Sequence, residues 1–391
     1  MANTRAASGK QTYAQVYEIV NQAAKIALGS EAPTVIDSTT LVGLGSRILP
    51  YDALSINFVG TLFARIGKTI IENKAYKSKL SFLMYDDFEW GGVVQIIETE
   101  MPDAVEDASL NLEEGKSVDM YIVSKPKAKI KFYTKKDTYS FFITIQRKFL
   151  KDAFTSAAAM GAFLSSIETK VRNKLELANE NLGQLTVASL AALTYGTTRE
   201  IKLLTRYNEK TGINLLSGDP IRALYDDDFL RFMSGEYQDV SEQFTSINSI
   251  WNAEGRPDFT NPGDQRIIIP SQVAIAMRTN VEWNARHPDK VSLGDSHVVS
   301  RWQSGQEKER MNIKVKVNKS LDDFNPQIED IEIENLVGIM FDKAACGTYR
   351  TNHEVATTPY NARGRYTNTF WHEDNMWFNN LGKQHAIFTL R

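Results

Sequence analysis

The segment that decides the fold runs from Thr138 to Tyr195 and reads TYSFFITIQRKFLKDAFTSAAAMGAFLSSIETKVRNKLELANENLGQLTVASLAALTY. In its first part, residue types alternate with a period of two, which is the pattern of a β-strand. This alternation places Tyr139, Phe141, Ile143 and Ile145 on one face of the predicted strand. After Lys148 the apolar residues recur at steps of three and four, which is one face of an α-helix. The members of this stripe are Phe163, Ile167, Val171, Leu175, Ala178, Leu182 and Leu185. The segment therefore predicts a strand followed by a long helix from Met160 to Leu193.

This predicted spine helix is on the order of 50 Å long at ~1.5 Å per residue. Its opposite face carries the charged residues Glu168, Lys170, Arg172, Lys174, Glu176 and Glu180. A long helix with a narrow apolar stripe suits coiled-coil assemblies and shell-forming subunits. Gly183 and Thr186 interrupt the heptad seam that a coiled coil needs, so a shell-forming subunit is favoured.

Composition is that of an ordinary globular protein, because 42% of the 391 residues are hydrophobic and 24% are charged. This length predicts about two or three domains. The net charge of −3 gives no general attraction to nucleic acid or an anionic membrane. The single cysteine, Cys346, excludes an intramolecular disulfide and fits synthesis in a reducing cytoplasm. No apolar run approaches the ~18 residues of a membrane span, so a soluble product is expected.

The residues before the spine predict two helices and a β-rich excursion. Tyr13–Leu28 and Tyr51–Ile66 have helical spacing, whereas residues 29–50 are rich in Ser, Thr and Gly and are interpreted as an extended arm with a turn at Gly43–Ser46. Within Lys68–Asp137 the predicted strands are Thr69–Tyr76, Lys79–Met84, Val93–Thr99 and the alternating segment from Lys125 to Phe132.

That alternating segment places Lys125, Lys127, Lys129 and Lys131 on one face and Ala128, Ile130 and Phe132 on the other. A two-stranded ribbon is marginal in water when isolated, so a partner surface is expected. Lysines along a ribbon prevent its edge strands from pairing with other strands, and they form ion pairs with carboxylates. We therefore predict that the four lysines contact a neighbouring subunit.

Residues after the spine predict a mixed region of helices and strands. The predicted strands are Thr198–Thr205, Arg266–Pro270, Met311–Val317, Ile328–Phe341, Tyr366–Trp377 and Ala386–Leu390. The predicted helices are Ile221–Met233, Tyr237–Trp251 and Ser271–Met277. The segment Asn284–Glu309 is expected to be a loop.

Catalytic and metal-binding motifs are absent from the sequence, which contains no phosphate loop, dinucleotide fingerprint or metalloprotease helix. One alternative is a hydrolase that uses Ser296 and His297, although no acid partner is identifiable. A second alternative is a single-stranded nucleic-acid binder along Lys125–Lys136. Asp226–Asp228 fits a solvated helix face better than a cation site, and the five histidines share no ligand spacing. No catalytic residue, metal or cofactor is predicted.

Several short strings, in this order, resemble the major capsid protein of small short-tailed phages of the phi29/picovirus type. They are Arg65-Ile66-Gly67 with Ile70-Ile71, Glu100-Met101-Pro102, Phe163-Leu164-Ser165-Ser166-Ile167, and Asn361-Ala362-Arg363-Gly364-Arg365-Tyr366 before Phe370-Trp371. The resemblance covers the chain from about Tyr51 onward.

The resemblance implies an α+β fold of the Hong Kong 97 (HK97) capsid type. The implied segments are an N-terminal arm (1–50), a peripheral-domain helix (51–67), an extended β E-loop that lies across the adjacent subunit (68–137), a peripheral-domain strand and spine helix (138–196), an axial α/β domain (197–345), and C-terminal strands of the peripheral domain (346–391).

The resemblance also implies a structural rather than enzymatic role. The expected product is a procapsid and then an icosahedral head of pentamers and hexamers that encloses double-stranded DNA, located in the virion and synthesised in the host cytoplasm. Implied partners are further copies of the chain, a scaffolding protein, a portal protein at one vertex and packaged DNA held by non-specific contacts. No membrane partner is expected.

Overall fold

The computed structural model describes residues 13–29, 32–51, 53–61, 78–85, 94–99, 114–115, 128–133, 136–215, 220–283, 296–302, 310–319 and 327–391. The chain forms two compact units, each assembled from separate segments. Unit 1 comprises Met1–Glu89, Lys136–Gly183 and Tyr349–Met376, and unit 2 comprises Trp90–Lys135, Gln184–Thr348 and Trp377–Arg391.

The helices are α1 (Tyr13–Leu28), α2 (Ser38–Ile48), α3 (residues 53–61), α4 (Arg147–Ala153), α5 (Ala157–Thr194), α6 (Leu203–Thr211), α7 (Asp227–Thr245) and α8 (Ser271–Trp283). The strands are β1 (Val94–Thr99), β2 (Ala128–Tyr133), β3 (Lys136–Gln146), β4 (Glu200–Lys202), β5 (Gln265–Pro270), β6 (Ser296–Val299), β7 (Ile313–Asn318), β8 (Ile328–Ile333), β9 (Leu336–Asp342), β10 (Cys346–Thr357), β11 (Tyr366–Asn379) and β12 (His385–Thr389).

Unit 1 is built around strand β3 and the first part of helix α5. β3 pairs with β11 in a three-stranded sheet of order β10-β11-β3. One face of this sheet presents Phe141, Ile143, Ile145 and Trp371 to a core that also receives side chains from α1, α2, α4 and α5. The predicted strand and long helix are confirmed, because alternation and helical spacing each put their apolar side chains on the buried side.

The spine helix α5 changes character along its length. Its first part buries a stripe that includes Ile167, Val171 and Leu175, as predicted. From Gln184 onward, however, nearly every residue is buried, including Thr186 and Ser189. Small side chains allow other parts of the chain to approach a helix from several sides, so the expectation of one wet face holds only for the first part.

The prediction of an extended arm at residues 29–50 is wrong, because Ser38–Ile48 forms helix α2. Asp37 caps this helix by accepting a hydrogen bond from the Thr40 backbone N at 2.7 Å, and Thr40 Oγ1 accepts in return from the Asp37 backbone N at 3.0 Å. Gly45 permits close packing, since a Cβ there would lie 2.8 Å from Phe154 Cγ. The predicted turn at Gly43–Ser46 is therefore part of a helix.

Unit 2 contains a five-stranded mixed sheet of order β4-β12-β9-β5-β6. The helices α6, α7 and α8 contribute to its core, where Tyr237 stacks on Phe388 with ring centroids 3.9 Å apart. A separate antiparallel pair, β7 and β8, carries an alternating buried and exposed pattern in β7. Strands β4, β5, β7 and β12 lie within a few residues of their predicted positions, and the predicted strand Ile328–Phe341 is divided into β8 and β9.

Several other expectations need correction. Lys79–Met84 contains a 3₁₀ turn at Ser81–Leu83 rather than a strand, and the predicted strand Thr198–Thr205 ends at Lys202, where α6 begins. In place of the predicted helices Ile221–Met233 and Tyr237–Trp251, the structure has a 3₁₀ turn at Pro220–Tyr225 followed by the single helix α7. The expected loop at Asn284–Glu309 contains β6. The predicted strand Thr69–Tyr76 lies outside the described residues.

The predicted segment 346–391 is divided between the two units. Tyr349–Met376 groups with unit 1, but Trp377–Arg391 groups with unit 2 because β12 lies between β4 and β9. Strand β10, which the sequence analysis missed, is rich in polar residues and pairs at the edge of the unit 1 sheet. The axial and peripheral roles of the segments stay predictions.

Candidate assembly site

The ribbon formed by β1 and β2 has two chemically different faces. Antiparallel pairing sets Ile96 opposite Lys131 and Ile97 opposite Ile130. Directly opposed residues share a face and successive residues alternate, so the register fixes both faces. One face carries Val94, Ile96 and Glu98 with Lys129, Lys131 and Tyr133; the other carries Gln95, Ile97, Ile130 and Phe132.

The lysine face contacts the rest of unit 2, to which the ribbon itself belongs. Lys131 Nζ lies 3.0 Å from Glu98 Oε2 and 2.8 Å from Glu254 Oε1, and it donates to Asn380 Oδ1 at 2.6 Å. Lys129 Nζ lies 2.9 Å from the same Glu254 oxygen. We call these five residues the anchor cluster. Only 14% of the Lys131 side chain is exposed, so the cation is bound in a largely enclosed position.

Two loops of unit 2 hold the acceptors in place. Ala253 N donates to Leu381 O at 2.8 Å, which joins the loop bearing Glu254 to the loop after β11. Asn380 Nδ2 donates to Glu98 Oε1 at 2.6 Å, so the amide bonds to both Glu98 and Lys131. Gly382 leaves the space for this arrangement, because a Cβ there would collide with Lys131 Nζ and lie 3.0 Å from Glu254 Cδ.

Apolar contacts support the same face. Val94 is buried, and the Tyr133 ring packs on Phe378 with centroids 5.4 Å apart. Burial raises the pKa of the Tyr133 phenol above its ordinary value, and the Glu98 and Glu254 carboxylates raise it further. The lysine face is thus anchored at both its polar and its apolar positions.

Two carboxylates of the anchor cluster have lowered pKa values. Burial alone raises the pKa of Glu98, but hydrogen bonds from Asn380 and Lys131 outweigh that effect. Burial also raises the pKa of Glu254, but hydrogen bonds from Lys131 and Lys129 lower this pKa by more, so the net shift is downward. Both groups are therefore ionised in the anchored state at neutral pH.

Acid is expected to loosen the ribbon. A carboxyl whose pKa is lowered in the folded state stabilises that state above its unfolded pKa, and this contribution is lost as the pH falls through the lower folded pKa. We expect the hydrogen-exchange protection factors of β1 and β2, which compare each measured rate with the intrinsic rate at the same pH, to fall as the pH falls below the ordinary glutamate value of 4.5. The isosteric, non-titrating Glu98→Gln and Glu254→Gln double variant is the control. An identical pH dependence of exchange in both proteins would contradict this assignment.

The predicted contact of four lysines with a neighbouring subunit stays a prediction. Lys129 and Lys131 lie where the alternation placed them, but their carboxylate partners Glu98 and Glu254 belong to their own chain. Lys125 and Lys127 lie outside the described residues. The sequence analysis did not identify Glu254, Asn380 or Gly382, and no local pattern marks them. Glu98 was identifiable in principle, because it occupies the lysine face of the neighbouring strand.

Ser296 and His297 are not arranged for a hydrolase. They are successive residues of β6, paired in parallel with Ile267 and Ile268 of β5. Successive residues of a strand project to opposite faces of the sheet, so the histidine ring cannot reach the serine hydroxyl as a general base. The structure therefore does not support the hydrolase alternative.

The remaining candidate residues have structural partners. Asp226 caps α7 by accepting from the Phe229 backbone N at 2.8 Å, and Asp227 and Asp228 are exposed in its first turn. The His372 ring stacks on Phe370, and the Cys346 thiol is buried. In the described part of the chain, no group of three or more His, Cys, Asp or Glu side chains is placed to bind a metal ion.

Burial lowers the pKa of His385 to about 4, so this imidazole is neutral near pH 7. No helix in the described ranges is both long and apolar enough to cross a membrane.

The fold of this chain is similar to that of a solved phage capsid structure. The capsid structure of Staphylococcus phage Andhra matches with a TM-score of 0.53, covering 81% of this chain and 85% of that chain at 9% identity. A likeness at that identity shows a shared fold, which is the HK97-like capsid fold that the sequence analysis expected.

The family follows from the sequence comparisons. A model of the phi29-like phage major capsid protein family matches residues 20–389. The major capsid protein of Bacillus phage GA-1 is 25% identical over 168 residues, which are 43% of this chain and 34% of that protein. The match thus spans about a third of the length of that relative. The chain belongs to the phi29-like phage major capsid protein family, and the resemblance noted from short strings is confirmed.

Proposed function

We propose that this chain is the repeated subunit of an icosahedral phage head that encloses a double-stranded DNA genome. The observation that carries the proposal is the family match across residues 20–389. The HK97-like fold agrees with it, and neither alternative function gains support from the geometry.

Assembly explains the organisation of the molecule in physical terms. A shell places one sequence in both pentamers and hexamers, so its contacts must tolerate small changes of angle. Many modest contacts per subunit then add together, because a closed shell engages all of them at once. The near-neutral net charge of −3 suits a DNA container, since an interior that bound phosphates tightly would hinder packaging and release.

The partners in this proposal are further copies of the chain, a scaffolding protein during procapsid assembly, a portal protein at one vertex and DNA held without sequence preference. The subunit is made in the host cytoplasm and resides in the virion. In this role the chain needs no cofactor and performs no catalysis.

The proposal is tested on particles purified from the phage that encodes this chain. Mass spectrometry of the particle proteins should find this chain as the most abundant component, because a shell contains many copies of its subunit. Electron microscopy of the same particles should show closed heads. Heads without this chain, or with only a few copies per particle, would contradict the proposal.

A further inference from the structure

The second face of the ribbon is apolar and exposed. Ile97 is 61% exposed, Ile130 is 47% exposed and Phe132 is 61% exposed. The register sets Ile97 directly opposite Ile130, and Phe132 lies two residues further along the same face. These side chains therefore form one continuous stripe across both strands.

The anchor cluster fixes which way this stripe points. Lys131, Glu98 and Glu254 hold the lysine face against the rest of unit 2, so the apolar face is the one presented outward. The anchor supports one face of the ribbon, which an isolated pair of strands would lack. The other face keeps its apolar side chains exposed, so it is open to a covering surface.

The chemistry of the face selects its partner. Among its described side chains, Gln95, Ile97, Ile130 and Phe132, none is charged, so the face has nothing to neutralise DNA phosphates or an acidic peptide. Three side chains of this size and exposure present on the order of 300 Å² of apolar surface. A lone pairwise interface buries ~800 Å² per partner, so this patch is too small to hold a separate protein alone. Repeated once per subunit in a shell, the same contact adds to all the others.

We propose that the stripe of Ile97, Ile130 and Phe132 is the surface by which the ribbon packs on a second copy of this chain, while Lys129 and Lys131 anchor it to its own subunit. This inference rests on the proposed capsid function and deepens it by assigning each face of the ribbon a different role. It differs from the sequence-based expectation, in which the lysines themselves meet the neighbour.

Cysteine labelling tests the two faces separately. The only native cysteine, Cys346, is buried, so a thiol reagent reports on an introduced residue. Ile130→Cys is expected to react readily in the isolated subunit and at least tenfold more slowly in assembled particles. Lys129→Cys, on the opposite face of the same strand, is the matched control and is expected to react at similar rates in both. Slowing at Lys129→Cys with unchanged labelling at Ile130→Cys would overturn the proposal.

Incorporation into particles gives a second measurement. A tagged triple variant, Ile97→Thr, Ile130→Thr and Phe132→Thr, is supplied during infection by the phage and is expected to enter particles at least tenfold less than the tagged wild-type chain. The control, Ile97→Val, Ile130→Val and Phe132→Leu, keeps the face apolar and is expected to enter normally.

The outcomes separate the inference from the proposed function. Equal incorporation of the threonine variant would overturn the inference and leave the capsid function intact. A lower thermal midpoint of the isolated threonine variant would show that another segment of the same chain covers the face, which also overturns the inference. Absence of the wild-type chain from particles would overturn both.

Discussion

Replacing Lys131 by methionine is expected to release the ribbon from the rest of unit 2. Methionine keeps the length of the side chain but removes the cation that bonds to Glu98, Glu254 and Asn380. The substitution leaves the largely buried Glu98 carboxylate without its cation, whereas Glu254 keeps Lys129, and removing one partner of such an ion pair costs about 3 kcal/mol. The free energy that holds the ribbon against the rest of unit 2 should fall by that amount, because the carboxylates are hydrated again only when the ribbon separates from it.

Hydrogen exchange followed by mass spectrometry measures this release in β1 and β2. We expect protection there to fall by about a hundredfold, since ~1.4 kcal/mol corresponds to a factor of ten, while the five-stranded sheet of unit 2 keeps its protection. Lys129→Met is the matched control, because Lys129 is on the same strand face but is 43% exposed and contacts Glu254 alone. Equal effects of the two substitutions would contradict the central position given to Lys131.

Replacing Trp371 by alanine is expected to destabilise unit 1 by about 4 kcal/mol. Trp371 is fully buried, and its ring stacks on Phe141 with centroids 5.7 Å apart. Alanine would leave a cavity between β11 and the helices of the unit 1 core, and the neighbouring side chains can fill it only in part. Calorimetry should show the corresponding transition about 10 °C lower.

Phe142→Ala is the control for that experiment. Phe142 follows Phe141 in β3 but projects to the other face of the sheet, where it is 61% exposed. We expect a change of less than about 1 kcal/mol, since little apolar surface is returned to water. A larger loss for Phe142→Ala than for Trp371→Ala would mean that the buried and exposed faces of the sheet are assigned the wrong way round.

Local periodicity predicted those elements whose burial follows a regular pattern. Helices α1 and α5 and strand β3 have apolar residues at helical or alternating spacing, and they lie where the sequence placed them. Helix α2 was missed because its glycines and hydroxyl residues have low helix propensity. Its stability comes from the Asp37 cap and from packing against Phe154, which is distant in sequence.

The candidate site was only half predictable for the same reason. Alternation along β2 separated Lys129 and Lys131 from Ile130 correctly, because the period of a strand is a local property. Which face meets its own chain depends on Glu254 and Asn380, and Asn380 is 249 positions away from Lys131. Pairings over such separations are set by the tertiary fold, so no spacing rule reveals them.

The position of β12 in its sheet governs when the subunit can fold. It lies between β4 and β9, and Thr389 Oγ1 donates to Glu200 Oε1 across 189 positions of sequence. During translation, β4 and β9 are synthesised before β12, so their hydrogen-bonding edges stay unpaired until residues 385–389 emerge from the ribosome. Unpaired strand edges can pair with other nascent chains. Newly made polypeptides must therefore be kept apart until translation has passed this strand, and only then can they enter the pool from which heads are built.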